Sequence, residues 1–244
     1  MRIFMLLFVF VSQYSAANFD WSDYSSLLAD NITQAEKSGI TSNLVNYQAF
    51  ANDPKFHSLI NQLASYDPSI LEGNDKMAFY INTYNIFAIN LVIENKPHKS
   101  IRNIGSWFSP VWQKPAGILN GKPVSLDTIE HKILRKMEEP RIHFAIVCAS
   151  MSCPDLRKEA YVGENLDRQL EDQTRSFLAD KEKGLRIDNE KIYISKIFDW
   201  FSEDFSKDKS EAGILQFIAK YQIEARRFSG YKTLDYDWQL NKVE

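Results

Sequence analysis

Cysteine is nearly absent from this chain: its 244 residues include two, Cys148 and Cys153. Two thiols are too few for a disulfide-built scaffold, so the fold must stand on an apolar core. Basic clusters are missing as well. The formal net charge is −3, and no run of Lys and Arg is interleaved with aromatics, which argues against a nucleic-acid partner. Beyond the N-terminal segment no apolar stretch approaches the roughly 20 residues that span a bilayer. Internal repeats and low-complexity segments are lacking. Ser152 stands in no Gly-x-Ser-x-Gly elbow, which counts against a serine hydrolase.

What is present begins with Arg2, an apolar run over residues 3–11 and the small residues Ser15, Ala16 and Ala17. That order is the pattern of a cleavable secretory signal peptide, so residues 1–17 are expected to be removed and the protein to be secreted or periplasmic. The apolar run is about half a membrane span, which sets it apart from an anchor. In an oxidising compartment Cys148 and Cys153 can form a disulfide. Asn31, Ile32 and Thr33 make a glycosylation sequon, relevant only in a eukaryotic host.

Residues 18–73 read as a helical N-terminal extension, with short helices over 21–29 and 56–65 broken at Asp53-Pro54 and Asp67-Pro68. Residues 74–95 contain no Gly or Pro, follow Asn74 as a candidate N-cap and are apolar nearly all round. Such a helix belongs at the centre of a domain. A turn-rich loop from Pro97 to Pro123 carries Trp107, Phe108 and Trp112, with a hairpin expected near 117–123. Asp127 and Glu130 have capping-box spacing at the start of a helix over 127–137. Residues 141–148 alternate and are β-branched or aromatic, which predicts a buried strand. An amphipathic helix is expected over 164–179, a hairpin over 185–194 turned at Asp188-Asn189, and helices over 197–205 and 213–221. The expected class is α+β: one helix-rich domain with a small, largely antiparallel sheet around a buried central helix. Residues 74–205 form its core, and 206–244 a C-terminal helical segment packed on it.

The residues with chemistry gather in the segment His-Phe-Ala-Ile-Val-Cys-Ala-Ser-Met-Ser-Cys-Pro at 143–154. A nucleophilic cysteine needs its thiolate, hence a nearby cation, histidine or helix N-terminus, and partial exposure. Cys148 and Cys153 are therefore either a nucleophile and its neighbour, an oxidised pair, or buried small residues. On a straight strand His143 and Cys148 would face opposite sides, roughly 16 Å apart. That geometry favours His131, in the first turn of the 127–137 helix with Arg135 one turn below, as the base. His143 would then act with the Asn82 and Asn85 face of the central helix. Those two amides, three residues apart, serve either a structural network or the orientation of a substrate. A zinc site from His131, His143, Cys148 and Cys153 has suitable ligand types but unsuitable spacing. No metal or cofactor is expected.

Four blocks carry a family likeness: Ala-Phe-Tyr-Ile-Asn-Thr-Tyr-Asn at 78–85, Ser-Leu-Asp-Thr-Ile-Glu-His-Lys-Ile-Leu-Arg at 125–135, the segment from Pro140 to Tyr161, and Ser-Lys-Ile-Phe-Asp-Trp-Phe-Ser-Glu-Asp-Phe at 195–205. Together they resemble the domain of unknown function 547 (DUF547) family over most of residues 74–205. The resemblance implies a papain-like or transglutaminase-like core. It also points to thiol chemistry, since family members occur beside glutaredoxin-like domains, but it implies no established reaction. In a papain-like arrangement the central helix would supply the nucleophile; here it carries asparagine. The function expected is a cysteine-dependent hydrolase or transferase acting on amide or thiol compounds, with a small molecule or peptide as partner. The alternatives are a non-catalytic exported binding module with a structural disulfide and a thiol redox protein.

Overall fold

The computed structural model describes residues 18–243. The expected signal peptide at 1–17 lies outside the described residues. Helix α1 (Ser22–Asn31) leads into a hairpin of β1 (Ile32–Lys37) and β2 (Ile40–Val45), followed by α2 (Tyr47–Asn52), α3 (Pro54–Ser65) and α4 (Gly73–Asn95). The hairpin β3 (Pro115–Leu119) and β4 (Lys122–Ser125) comes next, then α5 (Leu166–Ala179), β5 (Leu185–Asp188) and β6 (Lys191–Ile194). Helices α6 (Ile197–Trp200), α7 (Ser202–Phe205) and α8 (Glu211–Ile218) precede the short strand β7 (Lys232–Thr233). The class is α+β, as expected, although the strands form three small sheets: β1-β2, β3-β4 and β5-β6-β7. All pairings are antiparallel except β6 with β7.

The central helix is where the sequence places it. From Ala78 to Ile89 every side chain of α4 is buried, so the helix has no solvent face and its polar residues must find partners inside. Asn82 donates to the Tyr161 carbonyl at 2.8 Å and accepts the Tyr161 N–H at 2.9 Å. Asn85 donates to the Ala145 carbonyl at 3.0 Å and accepts the Val147 N–H at 2.8 Å. Both amides thus tie irregular chain to a rigid helix. The expected N-cap Asn74 is already inside the helix, which begins after Glu72 without a side-chain cap.

Three local expectations need correction. The N-terminal layer contains the β1-β2 hairpin, turned at Ser38 and Gly39 with φ of 54° and 80°; its first strand is mostly exposed and polar, so no alternation marks it. The helix expected over 127–137 is a π-helical turn (Thr128–Ile133) followed by a 3-10 turn (Leu134–Met137). Asp127 makes no capping bond there; Ser125 Oγ accepts the Thr128 N–H at 3.1 Å. The predicted strand over 141–148 is a 3-10 helix (Pro140–Phe144) running into irregular chain. The Ala145 carbonyl and the Val147 N–H are satisfied by Asn85 rather than by a neighbouring strand, and the N–H groups of Ile142, Ala145 and Ile146 bond within the turns of the segment.

That segment is the seam of the molecule. One apolar cluster surrounds α4 and includes Ile142, Ala145, Ile146 and Val147. A second, built from α5 to α8 with β5 and β6, includes Phe144. One short stretch, buried at every position from 142 to 147, therefore plugs two cores, with Phe144 alone of these apolar residues in the second. Beyond α8 the chain returns as an extended strap that bonds to both: Leu234 N–H to Ile194 O at 2.8 Å, Met151 N–H to Gln239 O at 2.8 Å and Val45 N–H to Asn241 O at 2.7 Å. Replacing Asn85 by Ala leaves the Ala145 carbonyl and the Val147 N–H buried without partners. A loss of about 2–4 kcal/mol is expected in urea unfolding.

Candidate functional site

The site is built where the seam, the strap and the turn between α6 and α7 meet. Ala149 takes a left-handed backbone, φ 58°, and turns the chain back on itself so that Cys148 and Cys153 meet. They are joined by a disulfide, and no cysteine of the chain is free. Cys148 is half-buried and Cys153 buried. The Cys148 N–H points to Cys153 Sγ at 3.0 Å. Tyr236, from the strap, donates its hydroxyl to Cys153 Sγ at 3.3 Å, lies 3.3 Å from Cys148 Sγ and accepts a hydrogen bond from Ser150 Oγ at 3.2 Å.

The disulfide lines a cavity of about 90 Å³ together with Tyr84, Glu130, His143 and the aromatic rings of Trp112, Trp200, Phe201, Tyr236 and Trp238. These groups come from both apolar clusters and the strap, so no single element carries the site. His143 is buried, its ring stacked 4.1 Å from that of Phe201. Its Nε2 lies 2.7 Å from Asp204 Oδ2. Arg135 grips the same carboxylate with Nε at 2.6 Å and a second nitrogen at 2.9 Å. Partial burial works against the charge of Asp204, but hydrogen bonds from His143 and Arg135 outweigh it and hold the carboxyl far below its usual range. Burial lowers the pKa of His143, with Asp204 opposing and Arg135 adding to the fall. The ring is then neutral at pH 7. Because an ionised carboxylate only accepts, Nε2 carries the proton, leaving Nδ1 as an acceptor.

Glu130 is the other titrating group of the cavity. Burial pushes its pKa up to about 7, against the Tyr84 hydrogen bond and the Arg135 charge; Tyr84 reaches Glu130 Oε2 at 3.3 Å. A carboxyl poised there both holds and releases a proton at neutral pH. Sequence reasoning used Glu130 only as a helix cap and missed Asp204 and Tyr236. The signal available for Glu130 was a carboxyl set among the apolar residues Ile129, Ile133 and Leu134.

The expected base, His131, is elsewhere. It keeps its side chain 35 % exposed, accepts a hydrogen bond from Arg135 at Nδ1, 2.8 Å away, and does not line the cavity. The structure brings His143, not His131, to the cysteines, because residues 140–144 coil instead of extending. Asn82 and Asn85 lie behind the site, spent on backbone groups. Among the described residues no group of three or more His, Cys, Asp and Glu is placed to hold a metal ion.

Residues 68–178 match the family model described as "Protein of unknown function, DUF547". The matched region covers 111 of the chain's 244 residues. That region includes α4, Glu130, His143 and both cysteines, while Asp204, Trp200, Phe201 and Tyr236 lie beyond the matched residues. No curated protein and no solved structure matches the chain.

The raised pKa of Glu130 has a definite sign. Its folded value of about 7 lies above the ordinary 4.5, so the native state binds the extra proton between those values. Stability is therefore lost as pH rises through that window. Glu130→Gln removes the loss: the stability of the variant relative to the parent is expected to grow by about 3 kcal/mol between pH 4.5 and 7.5, read by urea unfolding at each pH.

Proposed function

We propose that the protein is an exported thiol–disulfide exchange protein whose redox centre is Cys148 and Cys153. The observation that carries this reading is the asymmetry of the pair in burial: Cys148 is half-buried on the cavity, whereas Cys153 is buried. Both sulfurs have polar partners, Cys148 the Ser150 and Tyr236 hydroxyls and Cys153 the Cys148 N–H and the Tyr236 hydroxyl. An incoming thiolate attacks Cys148 Sγ, forming a mixed disulfide and breaking the Cys148–Cys153 bond. The electron pair leaves on Cys153 as a thiolate, held by the Cys148 N–H and the Tyr236 hydroxyl. A lower-pKa leaving thiol departs faster. A second substrate thiolate then attacks the substrate sulfur of the mixed disulfide. It leaves with the first as an oxidised substrate, and Cys148 is released as a thiolate. Glu130, with a pKa of about 7, supplies or takes up the proton in the same cavity. His143 Nδ1 is a second acceptor, its ring held by Asp204.

A purely structural role is weakly supported by magnitude. The two cysteines are 5 residues apart, and closing so short a loop removes only about 2 kcal/mol of unfolded-chain entropy. The loop is also held without the sulfurs, by Met151 and Ser152 N–H groups on the strap and by Asn241 N–H on the Ala149 carbonyl. The loop is therefore expected to keep its shape when the bond opens. A cysteine hydrolase or transferase needs a free thiolate, and the disulfide uses both sulfurs; such chemistry would be confined to the reduced protein. Export, expected from residues 1–17, would place the pair where an oxidised state persists.

Equilibration of the native protein in thiol buffers of defined potential, followed by alkylation and mass spectrometry, tests the reading. Two thiols are expected to appear at a potential above about −270 mV, with the fold retained, since structural disulfides resist reduction to below about −300 mV. Cys153→Ser is expected to trap glutathione on Cys148. A bond that opens only in denaturant would sink the proposal.

A further inference from the structure

Trp107 and Phe108 are 92 % and 94 % exposed, the two most exposed large apolar side chains described. They form the tip of a tight turn closed by two backbone hydrogen bonds, Ser106 N–H to Ser109 O at 2.9 Å and Ser109 N–H to Ser106 O at 3.2 Å. The base is braced. It stands on two 3-10 turns (Ile101–Ile104 and Val111–Gln113), and a Cβ added at Gly105 would come within 2.5 Å of the Val111 nitrogen. The protrusion is thus preformed and presents its aromatics outward.

Charge around it is one-sided. Residues 96–126 contain Lys96, Lys99, Arg102, Lys114 and Lys122 and no Asp or Glu, in a chain of net charge −3. The cations are too widely spaced to stand out as a cluster; what marks the segment is the missing acid. None of the five makes an ion pair among the described residues. Arg102 lines one surface cavity with Trp107, so cation and tip share a face.

We propose that this tip, with Lys99 and Arg102 behind it, docks the protein on an anionic bilayer surface. Two aromatic side chains bury about 500 Å² at most, short of the roughly 1,000 Å² of a stable protein interface. The same pair suffices at a membrane, because aromatic rings partition into the headgroup region and each nearby cation adds attraction to anionic lipid. No helix of the described residues is long and apolar enough to cross a membrane, so the attachment is superficial. The proposal does not rest on the disulfide chemistry, although the cavity beside the tip shares Trp112, Trp200, Phe201 and Trp238 with that of the disulfide.

Flotation of the folded chain, residues 18–244, with vesicles of phosphatidylcholine alone or mixed with phosphatidylglycerol tests the proposal. Binding is expected only to the mixed vesicles and is expected to vanish in ~1 M salt, where the Debye length is about 3 Å. Trp107→Ala with Phe108→Ala is expected to weaken binding at least about tenfold. Lys99→Gln and Arg102→Gln should each weaken it about fivefold. The aromatic and Lys99 variants are expected to keep the melting temperature, since those side chains are exposed, whereas Arg102 also lies 5.0 Å from the Trp238 ring. Absence of binding to the mixed vesicles, equal binding to neutral ones, or full binding by the aromatic variant would each overturn it.

Discussion

One side chain holds the site together. Asn85, buried in the middle of α4, bonds at once to the Ala145 carbonyl and the Val147 N–H, and so fixes the irregular chain that leads into Cys148. A buried backbone group without a partner costs about 1–3 kcal/mol, so this stretch could not lie in the interior without that amide or a neighbouring strand. The choice of a side chain over a strand has a structural consequence. It frees residues 140–144 to coil, which turns His143 towards α7 and lets Phe144 enter the second core while Ile142 stays in the first.

The polar chain from Arg135 through Asp204 to His143 follows from that seam. A buried imidazole and a partly buried carboxylate are costly alone; here the guanidinium neutralises the carboxylate and the carboxylate orients the ring. The result is a neutral histidine with one acceptor nitrogen beside a disulfide and a carboxyl that titrates near neutrality. Aromatic rings from the strap and from α6 complete the wall and keep the surroundings dry, which is what raises Glu130. Buried Lys183 makes a similar closure elsewhere, its ammonium 2.7 Å from Asp155 Oδ1, a carboxylate that also accepts from Ser42 in β2.

Much of the fold was legible because its signals are local. The burial of α4 shows in a run without Gly, Pro or a polar face, and the turns at Asn120-Gly121 and Asn189 show in residues that tolerate positive φ. The structural use of Asn82 and Asn85 was one of two readings open to polar residues on such a helix, and the structure supplies the partners. The alternating run over 141–148 was misleading for a physical reason. β-Branched and aromatic residues record that a segment is buried, not which groups satisfy its backbone, and residues 142–147, all buried between two cores, carry the composition of a strand without its pairing.

By itself the sequence determined the α+β class, the central helix and the hairpins near 117–123 and 185–194, since periodicity and turn chemistry are written in neighbouring residues. Only the tertiary structure decided that Cys148 and Cys153 are bonded to each other, that His143 rather than His131 lines the same cavity, and that Glu130, Asp204 and Tyr236 gather around it. Those groups are separated by up to 106 positions along the chain, and their ionisation depends on burial and partners that exist only once the two cores and the strap have closed around them.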